Sequence, residues 1–209
     1  MALLHRDGEN VSVQTIVSRW GEHGDRPEPA EGNEALFASF TASASVEVGC
    51  SPLDAWELVT DIARIGDFSP ECMAAEWIDG ASGPEVGARF EGTNHVITSY
   101  RGDDIDFTWI RVCTVTAVER PSLFAYTVGD RFDGTPACSW EFRIHPSDDG
   151  CRISQRFQHL PRGLSGTRLA ADGFPDDAEE QVRDRQRSLT NDMNETLQRI
   201  RKVLETARA

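Results

Sequence analysis

The chain has 209 residues, 39 % of them apolar, which is enough for one hydrophobic core. Its formal net charge is −14. Because such a charge repels phosphate groups, it argues against binding to nucleic acid or to an anionic membrane surface. No stretch approaches the roughly 20 apolar residues of a membrane-spanning helix. Residues 1–7 lack the basic and apolar pattern of a secretory signal, so we expect none.

The cysteines are five in number and include no CxxC pair. They are Cys50, Cys72, Cys113, Cys138 and Cys151. An odd number without such pairing argues against a disulfide framework and predicts a reducing, cytoplasmic location. No histidine pair has metal-ligand spacing, and no phosphate-binding glycine loop or GxSxG motif occurs. We therefore expect no metal site.

Residues 1–38 are polar and contain several glycines and prolines. A short helix is predicted over residues 11–20, where Val13, Ile16, Val17 and Trp20 share a side. Residues 22–34 have the composition of a linker. We predict that residues 1–38 form a polar extension and that residues 39–209 form the domain.

The domain begins with alternating polar and apolar residues over 40–48, a pattern typical of a half-buried strand. Ser51 and Pro52 then have the chemistry of a helix N-cap and first turn. Gly66 is expected to break this helix, with a second short turn before Ser69 and Pro70, so that a pair of helices follows the first strand. Strand patterns follow, separated by short turns that favour antiparallel pairing. They cover residues 73–78, 88–96, 107–118, 123–128, 137–145 and 151–159.

A long helix is predicted over residues 176–207. Leu189, Met193, Leu197 and Ile200 recur at three- and four-residue steps on an otherwise charged segment. This apolar stripe must pack on the sheet. The order of elements predicts an α+β fold in which a curved antiparallel sheet wraps around the long C-terminal helix. The space between helix and sheet would form an internal hydrophobic cavity, the usual place for a small-molecule site.

Several short segments resemble the START-like SRPBCC superfamily, and more narrowly its polyketide cyclase/dehydrase group. The segments are Val46-Glu47-Val48, Ser51-Pro52, residues 55–61, Ser69-Pro70-Glu71-Cys72, residues 87–90, Glu119-Arg120-Pro121, Trp140-Glu141-Phe142 and residues 193–200. The resemblance covers residues 40–206 and implies a helix-grip fold with a ligand cavity and no obligatory cofactor. In cyclase members an arginine on the long strand orients a polyketone. Cys113 occupies that position here, and Arg111 shares its face.

We assign four residues as catalytic candidates: Arg111, Tyr126, His159 and Glu71. Arg111 could bind a carbonyl or carboxylate and stabilise an enolate, or it could face solvent if the opposite strand face points inward. Glu71 could act as a general base or gate, or could cap a structural turn. Tyr126 could donate a proton. His159 could shuttle one, or could be a solvated residue at a strand end.

Further residues are expected to line the cavity and contact the ligand. They are Trp77, Arg89, Trp109, Cys113, Trp140, Gln155 and Met193. Large aromatic side chains favour a flat, conjugated ligand, although each tryptophan could equally be a core residue. Asn94 also lies on a strand that should border the cavity.

The leading hypothesis for function is binding of a hydrophobic, aromatic or polyketide-like small molecule, with cofactor-free cyclisation or dehydration. The rival hypothesis is a non-catalytic carrier or sensor. A third is a regulatory protein that acts through its acidic surface and residues 1–38. Expected partners are a small hydrophobic ligand, with neither nucleic acid nor membrane; a homodimer is left open.

Overall fold

The computed structural model describes residues 25–100 and 103–206. Its strands are β1 (Thr41–Val48), β2 (Cys72–Ile78), β3 (Arg89–Tyr100), β4 (Asp103–Glu119), β5 (Leu123–Gly129), β6 (Pro136–Ser147) and β7 (Gly150–His159). Its α-helices are α1 (Glu34–Ala38), α2 (Pro52–Thr60), α3 (Ile65–Phe68), α4 (Gly166–Gly173) and α5 (Ala178–Thr206). The strands form one antiparallel sheet in the order β1-β7-β6-β5-β4-β3-β2. The predicted α+β helix-grip fold is confirmed.

Local chemistry explains where the first helices begin and why they approach the sheet closely. The Ser51 hydroxyl accepts the N–H of Asp54 at 3.1 Å, and Pro52 starts α2. Gly66 lies inside the short helix α3. A β-carbon there would lie 2.0 Å from the carbonyl oxygen of Met73, so the glycine permits a backbone approach that no other residue allows.

The long helix α5 packs its apolar stripe on the sheet, as predicted. Leu189, Met193, Leu197 and Ile200 are at most 4 % exposed. Two polar contacts flank this stripe. The Gln186 amide donates to the carbonyl oxygen of Thr41 in β1 at 2.6 Å, and Arg185 binds Glu71 just before β2. Because β1 and β2 are the two edge strands, the sheet grips the helix from both edges.

The core between helix and sheet divides into two clusters. The large cluster includes Phe124, Phe142, Ile153 and Ile200, and the small cluster includes Phe37, Phe157 and Met193. Three partly buried residues pack against both clusters: Ala44, Val128 and Trp140. We call these three residues the cluster boundary. Their side chains are partly accessible to solvent although they lie on the sheet face that carries the core.

The hairpin of β3 and β4 is longer than the sequence patterns predicted. Pairing continues as far as Tyr100 opposite Asp103, whereas the predicted strands ended at residue 96 and began again at residue 107. The polar residues of this stretch lack the apolar alternation of a half-buried strand. They pair mainly with each other, because the pairing of β4 with β5 extends no further toward the hairpin tip than Cys113.

Residues 25–38 pack against the domain. Phe37 in α1 is fully buried, and the Arg168 guanidinium lies 4.8 Å from its ring. Arg168, also fully buried, binds both carboxylate oxygens of Asp172 at 2.9 and 3.0 Å and donates to the Ala30 carbonyl at 2.7 Å. The described part of the predicted linker is therefore attached to α4. The helix predicted over residues 11–20 lies outside the described residues.

Candidate functional site

The strand register brings several predicted site residues onto one face of the sheet. Directly opposite residues of antiparallel strands share a face. Cys113 lies opposite Val128, Val115 opposite Tyr126, and Tyr126 opposite Trp140. Arg111 alternates with Cys113 along β4 and is opposite Gly92. The core residues occupy this same face, which we call the concave face because α5 lies over it.

Arg111 is a half-buried cation on the concave face. Its guanidinium donates to the carbonyl of Ile110 at 2.7 Å. Among the described residues, no carboxylate lies within ion-pair distance of it. Burial lowers the pKa of Arg111, the positive charge of Arg131 lowers it further, and Asp130 opposes the change. A partly desolvated guanidinium without an acidic partner is suited to an anionic or strongly polarised ligand atom.

Glu71 forms a bidentate ion pair with Arg185 of α5. The guanidinium donates to the two carboxylate oxygens at 2.8 and 2.6 Å, and the side chains are only 22 % and 28 % exposed. Burial lowers the pKa of Arg185, but the charge and hydrogen bond of Glu71 raise it more, so the net change is upward. Glu71 is thus engaged by a side chain of the helix, a partner that neither sequence interpretation of this residue included.

Charged groups from the helix and the sheet converge near Cys138. Burial raises the pKa of this thiol to about 12, and the charges of Arg185, Glu71 and Arg111 all act on it. The backbone places these groups near each other: Cys138 lies beside Val128, which is opposite Cys113, and the Glu71 carbonyl accepts the N–H of His95 in β3. The mouth of the site, as we use the term, consists of Arg111, Glu71, Arg185 and Cys138.

Tyr126 lies deeper on the concave face and is only 7 % exposed. Its ring contacts Phe90 edge-on, with the ring centres 5.0 Å apart. Burial raises the pKa of Tyr126 well above its usual value, and the neighbouring thiols Cys113, Cys72 and Cys138 add to the effect. The phenol therefore keeps its proton and can donate a hydrogen bond.

Gln155 is a buried amide beside the cluster boundary. It lies opposite Ala44 in β1 and opposite Phe142 in β6, and it is 7 % exposed. Its Oε1 atom is buried and has no hydrogen-bond partner among the described residues. Because an orphaned buried amide group costs about 1–3 kcal/mol, such a group is suited to a polar atom of a ligand.

The remaining residues predicted to contact the ligand are of two kinds, half-buried tryptophans and buried core residues. Trp77 packs edge-on against Phe90, Trp140 packs edge-on against Phe157, and Trp109 stacks on Phe107 with ring centres 5.6 Å apart. All three tryptophans are half-buried. Cys113 and Met193 are buried, at 6 % and 1 % exposure, and Met193 belongs to the small cluster.

The structure corrects the placement of Arg89. This residue alternates with Phe90, whose side chain is on the concave face. Arg89 therefore points to the convex face, where it is half-exposed and binds Asp79 at 2.6 Å. It cannot line a site under α5.

The structure also corrects the proposed proton shuttle. His159 is fully buried beside Phe37 and Phe40. Its Nδ1 atom is 2.7 Å from the Leu160 carbonyl and its Nε2 atom is 2.8 Å from the Ser165 hydroxyl. Burial lowers its pKa to about 4. Since both ring nitrogens are engaged within the core, His159 is a structural residue.

All five cysteines are free in the structure, and two of them are close neighbours. The sulfur atoms of Cys50 and Cys151 lie 3.9 Å apart in the core.

Within the described chain, no group of three or more histidine, cysteine or acidic side chains is arranged to hold a metal ion. No helix of that same part is both long and apolar enough to cross a bilayer.

Two open depressions lie outside the concave face. One of about 410 Å³ borders Gln198, Arg201 and Glu205 on the outer side of α5. The other, of about 180 Å³, lies on the convex face beside Glu141 and Arg156. Both are shallow surface features with charged borders, and neither touches the predicted site residues. The enclosed hydrophobic cavity remains a prediction.

Sequence reasoning missed the polar residues that α5 brings to the mouth. The sequence pattern describes this helix only as charged outside its apolar stripe, and it singles out neither Arg185 nor Asp192. Their spacing of four and seven residues places them beside the apolar stripe, which was the available signal. Charges flanking such a stripe are usually exposed, so the pattern alone could not identify their partners.

The fold and the concave-face site together define a helix-grip protein with a candidate small-molecule site. A sequence model of the family described as polyketide cyclase/dehydrase and lipid transport matches residues 39–205. The chain belongs to this family. A comparison with curated proteins gives no match.

Solved structures share the fold of this chain. The polyketide cyclase-like protein Cgl2372 of Corynebacterium glutamicum is 27 % identical, with a TM-score of 0.55 over 80 % of this chain and 93 % of that one. Protein Ms6760 of Mycobacterium smegmatis is 16 % identical, with a TM-score of 0.52 over 82 % and 94 % of the two chains.

The di-domain aromatase/cyclase StfQ of the steffimycin biosynthetic pathway is 10 % identical. Its TM-score is 0.58 over 81 % of this chain and 51 % of its own. At these identities, Ms6760 and StfQ show a shared fold only.

Proposed function

We propose that this chain binds a flat, hydrophobic, polyketide-like molecule between α5 and the concave face and catalyses its cofactor-free cyclisation and dehydration. The observation that carries the proposal is Arg111. It is half-buried beside Cys113 and Cys138, and among the described residues no carboxylate lies within ion-pair distance of it. A ligand carbonyl or enolate oxygen would accept a hydrogen bond from the Arg111 guanidinium, and only the charged enolate would also balance its positive charge.

Other groups on the concave face could bind a second polar group of the same ligand. The protonated phenol of Tyr126 can donate to a second carbonyl. Oε1 of Gln155, which has no hydrogen-bond partner among the described residues, can accept from a polar group of the ligand beside the cluster boundary. The half-buried Trp77 and Trp140 supply flat apolar walls. Binding two carbonyl groups of one molecule fixes its conformation and brings the reacting carbons together. Such positioning contributes much of the rate acceleration of an intramolecular reaction.

The reaction needs no cofactor. A base removes a proton from a carbon beside one ketone, and the resulting enolate attacks a second ketone to form a carbon–carbon bond. The alkoxide takes up the proton, and loss of water then gives a conjugated ring. Arg111 would stabilise the negative oxygen of the enolate during the first two steps.

A non-catalytic carrier is the alternative. The family description includes lipid transport, and the two core clusters make most of the concave face apolar. A carrier would bind the same class of molecule without needing the polar groups to act on it.

A naphthyl methyl diketone with three methylene groups between its carbonyl carbons distinguishes these functions. Its intramolecular condensation gives a naphthyl cyclohexenone and one water, and hexylnaphthalene is an apolar control of matching size. We expect Arg111→Ala to weaken diketone binding by about 1.5–3 kcal/mol, the range for a charged hydrogen bond, and to spare hexylnaphthalene. Equal weakening of both ligands would contradict a specific polar contact. Binding without conversion by the unaltered protein would favour the carrier.

A further inference from the structure

A polar stripe runs along α5 beside its apolar stripe. It consists of Gln181, Arg185, Ser188 and Asp192, spaced four, three and four residues apart, so that all four lie on one side of the helix. Arg185 reaches across to Glu71. Gln181 is buried, Arg185 and Asp192 are half-buried and Ser188 is exposed, so the stripe lies along the border between the mouth of the site and solvent.

Hydrogen bonds connect the members of this stripe to Glu71. Arg185 binds Glu71 through Nη2, and its Nη1 atom lies 3.5 Å from the Ser188 hydroxyl. That hydroxyl in turn lies 3.5 Å from Oδ2 of Asp192. Glu71, Arg185, Ser188 and Asp192 form one continuous polar chain.

The chain contains two carboxylates but only one guanidinium. Glu71 holds Arg185 in bidentate contact, so the negative charge of Asp192 is left incompletely compensated. Burial raises the pKa of Asp192, and the charge of Glu71 raises it further, while Arg185 opposes the shift and Glu195 adds to it. Asp192 is half-buried, whereas Asp184 one turn before Ser188 is mostly exposed.

A second feature of the same stripe indicates a ligand. Gln181 is one turn before Arg185 and is 8 % exposed, and its Nε2 atom is buried without a hydrogen-bond partner among the described residues. With the orphaned Oε1 of Gln155 on the sheet, the helix and the concave face each present a buried amide atom that needs a polar partner.

We propose that Asp192 is the proton-transferring carboxyl of this site, with Arg185 and Ser188 as positioning residues. As a carboxylate, Asp192 takes the proton from the carbon beside the first ketone. After the carbon–carbon bond forms, it returns that proton to the alkoxide, so the base is regenerated and water leaves in the following dehydration. This inference rests on the proposed cyclase function.

The test uses the same naphthyl diketone, with enone formation measured by absorbance and binding by naphthyl fluorescence. Asp192→Asn should bind the diketone within about twofold of the unaltered protein, but lose at least about 100-fold in kcat, the usual contribution of a general base. Asp192→Glu, which keeps the carboxyl, should recover part of the rate. Asp184→Asn removes an exposed carboxyl of the same helix and should leave the rate unchanged.

The pH profile separates proton transfer from a structural effect. The rate should rise with pH as Asp192 loses its proton. In Glu71→Gln the neighbouring negative charge is gone, so the rising limb of kcat/KM should move to lower pH. Full activity of Asp192→Asn, or an unmoved limb in Glu71→Gln, would overturn the assignment of Asp192 while the cyclase function stands. If the unaltered protein bound the diketone without converting it, this assignment would be overturned and the carrier would be favoured. If the unaltered protein neither bound nor converted the diketone, the proposed function would be overturned as well.

Discussion

Arg185 of the long helix and Glu71 before the edge strand β2 face each other across the mouth of the concave face, 114 residues apart in the chain. Two hydrogen bonds of 2.8 and 2.6 Å join them. This ion pair closes the sheet onto the helix on one side, while the contact of Gln186 with Thr41 does so on the other. The same two residues thus contribute both to the fold and to the charge balance of the candidate site.

Breaking this ion pair should cost measurable stability. In a double-mutant cycle with Glu71→Gln and Arg185→Met, we expect a coupling free energy of about 1–3 kcal/mol, because both side chains are largely buried. Urea unfolding of the four proteins measures it. The exposed pair Arg201 and Glu205 on the same helix is the matched control, with an expected coupling of about 0.5 kcal/mol or less. Equal coupling in the two pairs would show that burial adds nothing at the mouth.

Phe37 should be essential for stability although it precedes the region of the family match. It is fully buried against His159 and Arg168, so Phe37→Ala should lower the free energy of unfolding by about 3–5 kcal/mol. Ala35→Ser, two residues earlier on the exposed side of α1, should change it by less than about 0.5 kcal/mol. Thermal or urea unfolding of both variants decides the matter. A small effect of Phe37→Ala would mean that residues before 39 are dispensable for folding.

His159 should make the protein less stable in mild acid. Its folded pKa of about 4 is below the usual 6.5, so the unfolded chain binds the extra proton first as the pH falls. Stability associated with neutral His159 is complete above about pH 6.5 and is lost as the pH falls toward 4, amounting to about 2 kcal/mol between pH 7 and pH 5. We expect His159→Gln to be less stable at neutral pH but to show a smaller decline between those pH values.

The exposed residue His145 provides the control for that measurement. His145→Gln should retain the full decline in the free energy of unfolding between pH 7 and pH 5. If the His159 and His145 variants declined equally, the acid sensitivity would come from other groups, such as the many carboxylates of this chain.

Elements with a strong local pattern were predictable. The alternation in β1, β6 and β7 and the three- and four-residue steps of α5 report which side chains share a face, and both patterns require only near neighbours in the chain. The N-cap at Ser51 is likewise local. The long ribbon of β3 and β4 was less predictable, because its polar tip pairs with itself and carries no apolar alternation.

Site residues were predictable only as far as their strand face could be inferred. Arg111, Tyr126 and Gln155 share a sheet face with core residues, as the strand register shows. Arg89 was placed wrongly because only the pairing with β4 shows that Phe90, and not Arg89, faces inward. His159 does face the core, but its two hydrogen-bond partners come from the chain beyond its own strand.

The amino-acid sequence by itself determined the order of strands and helices, because periodicity and turn residues are local signals, and its short motifs gave the resemblance to the family whose sequence model matches residues 39–205. The tertiary structure alone decided that Arg185 meets Glu71 and that Ser188 links Arg185 to Asp192. It also decided that Gln155 and Gln181 each have a buried amide atom without a hydrogen-bond partner among the described residues. These relationships depend on how a curved sheet and a separate helix approach each other. No local pattern specifies that approach, since it is the sum of many distant packing contacts.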